Sequence, residues 1–409
     1  MKSEWNTYRL EDLCTFHNGL WKGKKPPYIK VGVIRNTNFT KEGILDTTDI
    51  PTLDVEEKQY KTRKLQYGDI ILEKSGGGPK QPVGRVVIFD LDQGEYSLSN
   101  FTSAIRIKDK ERLTFQYLHK YLYYFYITSN TEGMQSHSTG IRNLDFTRYK
   151  SIQIPVPPIV EQKRIVYILD DVFKDASREK NIAERNLQNA KDLFESYLDN
   201  TFNNPNKSFL EISLKDAFVI DPPKNELKKV LESNDLVSFV PMEYVQTNSK
   251  YFLVEKEKPL QDVIKSYTYF RNEDVLLAKI TPCYENGKLG IASNLKNGVG
   301  FGSSEYIVFR KKNIVSPEYL YYYLHRKAFR DEGANNMHGA VGHKRVSKEF
   351  INNYKIKYPV DIDIQNNITK ILDDLYSDIT VLQSVYMKKT KIQEELKKSV
   401  LNKAFKGEL

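Results

Sequence analysis

EQKRIVYILDDVFKDASREKNIAERNLQNAKDLFESYLDNTF, residues 161–202, contains neither glycine nor proline. Its apolar residues recur at Ile165, Leu169, Val172, Ala176, Ala183, Leu187, Ala190, Phe194 and Tyr197, mostly in steps of three and four with charge between them. That spacing predicts a helix burying a narrow stripe against another helix. A second stretch, IQNNITKILDDLYSDITVLQSVYMKKTKIQEELKKSVLNKAF at 364–405, carries the same signal. Laid over each other without a gap, Gln162 meets Gln365, Ile165 meets Ile368, Ile168-Leu169-Asp170-Asp171 meets Ile371-Leu372-Asp373-Asp374, and Phe202 meets Phe405. The chain is a tandem duplication.

At ~1.5 Å of rise per residue, a helix of roughly 40 residues would be about 60 Å long, beyond the usual globular helix. It reads as a ruler. The partner expected for each stripe is the other, and the order of segments makes the pair antiparallel. The expected fold class is α+β: two mixed α/β domains separated by two long α-helices forming an antiparallel coiled coil, with an internal pseudo-twofold repeat. The expected boundaries are 1–158, 159–204, 205–361 and 362–409.

Composition sets the outer limits. A chain of 409 residues with 40% hydrophobic and 12% aromatic residues is long and apolar enough for two folded modules. A net charge of +9 is compatible with a nucleic-acid partner without requiring one. Its two cysteines, Cys14 and Cys283, lie in different modules and have no metal-ligand spacing, which suits a reducing cytoplasm. No run approaches ~18 apolar residues, so no membrane is expected as a partner.

In the first module YIKVGVI (28–34), YGDIILEK (67–74), GRVVIFD (84–90) and SAIRIKD (103–109) read as strands, and 114–129 as a helix with Thr114 as its N-cap. The prolines of IPVPP (154–158) end the domain. The second module repeats the plan: EDVLLAKI (273–280) answers GDIILEKS (68–75), Leu289-Gly290 answers Val83-Gly84, and SEYIVF (304–309) answers SAIRIK (103–108). Ser316-Pro317 opens its tyrosine-rich helix with proline at the favoured first position.

Catalytic signatures fail on inspection. Asp221-Pro222-Pro223-Lys224 has the opening of a methyltransferase loop but lacks the aromatic that stacks on a flipped base. Ser75-Gly76-Gly77-Gly78-Pro79-Lys80 lacks the Gly-Lys-Ser/Thr ending of a phosphate loop. Glu226-Leu227-Lys228 is a nuclease-like pair that is common by chance in a chain 28% charged. His338 and His343 have no third ligand nearby.

What recurs is polar, aromatic and glycine-bearing loop sequence at matching places in the two modules. In the first it offers Trp21, Lys22, Lys24, Lys25, Arg35, Asn36, Lys74, Ser75, Gly76, Lys80, Gln81, Ser138, Thr139, Arg142 and Asn143. In the second it offers Lys279, Thr281, Tyr284, Asn286, Lys288, His343, Lys344 and Arg345. Arg and Lys suit guanine edges and phosphates, while Asn and Gln suit adenine edges. These are the candidate DNA-binding residues.

At IPVPPIVEQKRIVYILD (154–170), EKSGGGPKQPVGRV (73–86), ITPCYENGK (280–288) and AFKGEL (404–409) the chain resembles the specificity (S) subunits of type I restriction-modification systems, over essentially its whole length. The resemblance implies two target-recognition domains reading the halves of a split, asymmetric site in double-stranded DNA. It implies two methyltransferase (M) subunits docked on the helices, with S-adenosylmethionine held by those subunits, and motor-nuclease (R) subunits joining for cleavage. It implies no cofactor and no catalytic or metal residue on this chain. Carried over position by position, Gln162, Ile165, Leu169, Asp170, Gln365, Ile368, Leu372 and Asp373 become the expected subunit-binding residues. The second copy reads YPVDIDIQNN where the first reads IPVPPIVEQK, which predicts a softer second joint or a weaker M contact.

Two other readings compete: an enzyme with unfamiliar motifs, and a coiled-coil spacer whose end domains bind protein. Leu187→Pro is expected to abolish M-subunit assembly and split-site recognition together, as measured by co-purification and duplex binding. Retention of both would refute the ruler.

Overall fold

The computed structural model describes residues 5–20, 25–78, 81–138, 141–203, 209–247, 249–340 and 342–409. It forms two compact units: Met1–Ala183 with Met387–Leu409, and Glu184–Tyr386. One long helix runs Ile159–Asn203 and the other Ile362–Phe405. Each unit therefore holds the start of one and the end of the other.

Unit 1 is built on a four-stranded antiparallel sheet in the order Cys14–Asn18, Thr102–Ile107, Ile70–Glu73, Val86–Ile88. Side chains alternate across it. Ile70 and Leu72 face a core shared with the tyrosine-rich helix Phe115–Ile127, while Ile71 faces a second core with Val87 and Ala104. A sheet covered on both faces needs a continuous apolar run, which is why IILE has no polar alternation. A second sheet joins Thr52–Glu56, Tyr28–Ile34 and Tyr96–Leu98, the last two being parallel.

Unit 2 repeats this on Phe218–Ile220, Tyr306–Lys311, Val275–Ala278 and Leu289–Ile291, with its own parallel pair Leu236–Val240 and Val299–Gly302. The strand registers correct the expected correspondence. Ile70 pairs with Ile105 where Val275 pairs with Phe309, and Leu72 pairs with Val86 where Leu277 pairs with Leu289. Ser103 therefore answers Ile307 rather than Ser304, and Val86 answers Leu289 where Val83 was expected to. Both slips are three residues, an odd number, so the expected alignment put the strand's inner face outward. In the true register Arg106 answers Arg310, and each closes a bidentate ion pair on a buried carboxylate. Arg106 meets Asp69 at 2.8 and 2.7 Å, and Arg310 meets Asp274 at 3.0 and 2.7 Å.

Each domain is tied at its two ends by a short antiparallel ribbon: Asn6–Arg9 with Gln153–Val156, and Phe209–Ser213 with Lys355–Pro359. Pro155 is tolerated because a two-stranded ribbon leaves one side of each strand unpaired. The chain leaves each domain beside where it entered. There a buried glutamine takes over. Gln162 Nε2 donates to the carbonyls of Arg112 (2.9 Å) and Pro157 (2.8 Å), and its Oε1 accepts from the Thr114 N–H at 2.9 Å. Gln365 does the same with Ile314 (3.0 Å), Pro359 (2.8 Å) and the Ser316 N–H (2.8 Å). Thr114 and Ser316 in turn cap the tyrosine-rich helices Phe115–Ile127 and Pro317–His325. The second joint, expected to be softer, is tied by the same three bonds.

The far ends of the long helices close the units with aromatic rings. In unit 1 Phe405 lies 5.6, 5.0 and 5.3 Å from the rings of Tyr117, Tyr121 and Tyr124. In unit 2 Phe202 lies 5.1 and 4.9 Å from Tyr319 and Tyr323. Within unit 1 the two helix segments run antiparallel, with Arg164 bonding the Leu409 carbonyl and Lys397 reaching Ser177. The AFKGEL ending makes a left-handed cap at Gly407 (φ +67°), where Glu408 and Gly407 donate to the carbonyls of Lys403 and Ala404.

Gln365→Leu leaves the Ser316 N–H and two carbonyls buried without partners. The expected cost is about 2–5 kcal/mol in unit 2, read as lost hydrogen-exchange protection at the start of Pro317–His325. Unchanged protection would show that the carboxamide is dispensable.

Candidate nucleic-acid interface

The two loops singled out in each module are brought together by the backbone, in the same way in both. In unit 1 the short strand Ser75–Gly77 pairs with Ile141–Leu144, which forms a hairpin with Gln135–Ser138. The Leu144 N–H donates to the Lys74 carbonyl at 2.8 Å. In unit 2 the Val346 N–H donates to the Lys279 carbonyl at 2.9 Å, and the Thr281 N–H to that of Lys344 at 2.9 Å. Lys74 thus answers Lys279, and Asn143 answers Arg345.

The side chains on this shared frame differ. In unit 1 Ser75 Oγ donates to Asn143 Oδ1, and Lys74 Nζ donates to Asn18 Oδ1 at 2.8 Å. Asn36 reaches the same place from another loop; its Nδ2 lies 2.7 Å from where a Cβ on Gly76 (φ +98°) would stand. Beneath them Glu73, 1% exposed, closes a two-bond ion pair with Arg85 at 2.7 and 2.8 Å. Arg85 donates onward to the carbonyls of Asn36 (3.0 Å) and Phe39 (2.9 Å), and Asn36 Nδ2 faces Glu73 at 3.5 Å. Arg142 lies alongside on its strand, with Nη1 3.4 Å from Gln135.

In unit 2 the corresponding surface carries different, mostly charged side chains. Arg345 makes a bidentate pair with Glu305 at 2.9 and 2.7 Å, and these hydrogen bonds hold the Glu305 carboxyl below its usual range. Thr281 donates to Glu285 at 2.8 Å, Lys279 to the Ser304 carbonyl at 2.8 Å, and Lys288 to the Met242 carbonyl at 2.9 Å. Asn286, His343 and Lys344 are exposed.

Other candidates fall elsewhere. Trp21, Lys22, Lys24, Lys80 and Thr139 lie outside the described residues, and Ser138 is placed only by its strand. Lys25 and Gln81 are exposed; Arg35 sits 3.6 Å from Asp49. Tyr284 is corrected: it is fully buried, donates to the Phe329 carbonyl at 3.0 Å and packs on Gly333, so it belongs to the core. Burial pushes its phenol up.

The subunit-binding expectation is corrected for Gln162, Ile165, Leu169, Gln365 and Leu372, all buried inside their own units and without surface to offer. Ile368 packs on the unit 2 core. Asp170 and Asp373 are part-exposed, each ion-paired at 2.6 Å, to Lys120 and Lys250. Apolar residues that are exposed on these helices include Val160 and Tyr167 on the first, and Ile364, Ile371, Val385 and Ile392 on the second. The second set recurs at multiples of seven, a signal the sequence did contain.

The family model described as "Type I restriction modification DNA specificity domain" matches the chain twice, over residues 2–185 and 206–389. The chain belongs to the type I restriction-modification DNA specificity family. It is 40% identical over 134 residues to the EcoAI specificity subunit of Escherichia coli, a match covering 32% of this chain and 22% of that one. The next relative, the EcoEI specificity subunit, is matched over 24% of its length, so both are spanned by a quarter or less. The EcoKI specificity subunit of Escherichia coli K12 is 23% identical over 98% of this chain and 86% of its own.

The specificity fold is also that of solved structures. The HsdS subunit from Thermoanaerobacter tengcongensis matches all of this chain and 98% of its own with a TM-score of 0.58 at 17% identity. A chain from a structure concerned with complex assembly and conformational transition of the type I R-M system matches 99% and 98% with a TM-score of 0.76, also at 17% identity. Among the described residues of this specificity chain, no helix is long and apolar enough to cross a membrane, and no group of three His, Cys, Asp or Glu could hold a metal ion. Glu226 of the nuclease-like pair is engaged with Arg310 and Arg271.

Gly76→Ala forces a Cβ into left-handed backbone against Asn36. The expected cost is about 1–3 kcal/mol, with hydrogen-exchange protection lost around Asn36–Asn38 and Ser75–Gly77 in unit 1 and none lost in unit 2. Equal protection in variant and parent would mean that the contact is not constraining.

Proposed function

We propose that this chain is the non-catalytic DNA-reading subunit of a type I restriction-modification assembly. Each unit reads one half of a split, asymmetric duplex target, and the long helices serve as the spacer. Two methyltransferase subunits, carrying S-adenosylmethionine, are positioned to modify adenine, and motor-nuclease subunits join for cleavage. The assembly works in the cytoplasm.

The observation that carries the reading is one loop frame built twice with different side chains. Lys74 and Asn143 in unit 1, with Ser75 and Asn36 beside them, stand where Lys279 and Arg345, with Thr281 and Lys344, stand in unit 2. A repeated frame supports two reading surfaces, and unlike side chains support unlike half-sites. Binding energy would come from phosphate contacts, and discrimination from base-edge contacts at about 1–3 kcal/mol per good bidentate pair. With the buried stripe spent inside each unit, methyltransferase docking falls to exposed apolar residues of the second helix within unit 2, Ile364, Ile371 and Val385.

Mapping methylated adenines across the source genome, with the gene intact and deleted while the methyltransferase remains expressed, tests the proposal. One split, asymmetric motif is expected to disappear on deletion. An unchanged map would defeat it.

A further inference from the structure

Two ammonium groups in unit 1 converge on one aromatic ring with no acid between them. Lys74 Nζ lies 5.4 Å and Lys150 Nζ 4.6 Å from the centroid of Phe146, and Lys150 is also 5.0 Å from that of Phe16. The two rings meet edge to face at 5.4 Å. Ring faces attract a cation, but two like charges gathered on the same rings repel unless an anion joins them. Among the described residues neither lysine has a carboxylate within ion-pair distance. Glu73 is closed on Arg85, and Asp145 caps the short helix Phe146–Lys150 by accepting from the Arg148 N–H at 3.1 Å. Lys74 spends one of its three donors on Asn18, and the others remain for a ligand. Burial and then the charge of Lys150 lower the Lys74 ammonium below its usual range.

The arrangement belongs to unit 1. By strand register Phe16 answers Ile220, since they pair with Ile105 and Phe309. Counting from the N-caps Asp145 and Ser347, Phe146 answers Lys348 and Lys150 answers Asn352. At these positions unit 2 has no ring pair, and Asn352 stands where Lys150 does.

We propose that Lys74 and Lys150, held by the Phe16–Phe146 ring pair, clamp one backbone phosphate of duplex DNA at the edge of the unit 1 reading surface. The inference rests on the DNA-reading proposal above. Lys74 adjoins Ser75 and Phe146 follows Leu144 by two residues, so the clamp shares the backbone that carries the base-reading candidates. A phosphate contact fixes register without reading sequence.

The test uses the full chain assembled with its methyltransferase partner, binding a cognate and an unrelated duplex over a range of salt. Lys150→Gln is expected to weaken binding to both duplexes by the same factor and to lower the slope of log K against log salt by about one. Lys74→Gln should do the same, and the double variant should lower the slope by no more than about one in all, because both lysines hold a single phosphate, while Lys150→Arg retains the slope; equal thermal unfolding of the variants confirms that they fold. An unchanged slope overturns the clamp, as does a loss confined to the cognate duplex. A loss of methyltransferase assembly without a change in slope overturns it in favour of a protein contact. If the parent assembly shows no salt-dependent binding to DNA, the DNA-reading proposal itself falls and takes the clamp with it.

Discussion

A single carboxamide at the foot of each long helix is the constraint on which the rest depends. Gln162 and Gln365, both buried, each satisfy two backbone carbonyls and the N–H of the residue that caps a tyrosine-rich helix. An amide has the right inventory for this, since Nε2 supplies two donors and Oε1 an acceptor. Lys or Glu would bury a charge, and Leu would orphan three backbone groups. The same side chain fixes where the domain ends, where the long helix begins and how the tyrosine-rich helix is aimed.

The parts of this arrangement that follow a periodicity were legible in the sequence. The long helices announce themselves because apolar residues three and four apart can serve only one face, and Thr114, Ser316 and Pro317 mark helix starts by chemistry specific to those positions. The role of the glutamines was not legible, because Gln among charged residues looks like a solvated face. The strand correspondence failed for a different reason. Short apolar runs such as SAIRIK and SEYIVF resemble one another in several registers, and only hydrogen-bond pairing decides between Ser304 and Ile307 as the partner of Ser103. Tyr284 was misplaced because an aromatic in a loop-like string carries no sign of the glycine it packs on, Gly333, almost 50 residues later. Lys150 and Phe16 were overlooked for the same reason, since their meeting depends on folding.

What the duplication conserved and what it released can be separated by physical role. The paired buried ions Asp69–Arg106 and Asp274–Arg310 recur with the same two-bond geometry, and removing either partner would leave a charge uncompensated in the core. These pairs are scaffold. Burial pushes the Asp274 carboxyl up, and the guanidinium of Arg310 works against that shift.

One layer out, the symmetry breaks. Glu73 and Arg85 form a buried pair beneath the unit 1 loops, whereas the positions that answer them by register are Ala278 and Lys288. Arg85 holds two loop carbonyls and Lys288 holds one, from Met242. The Asn36 loop is therefore braced by a rigid guanidinium fork, while its counterpart hangs on a flexible ammonium stem.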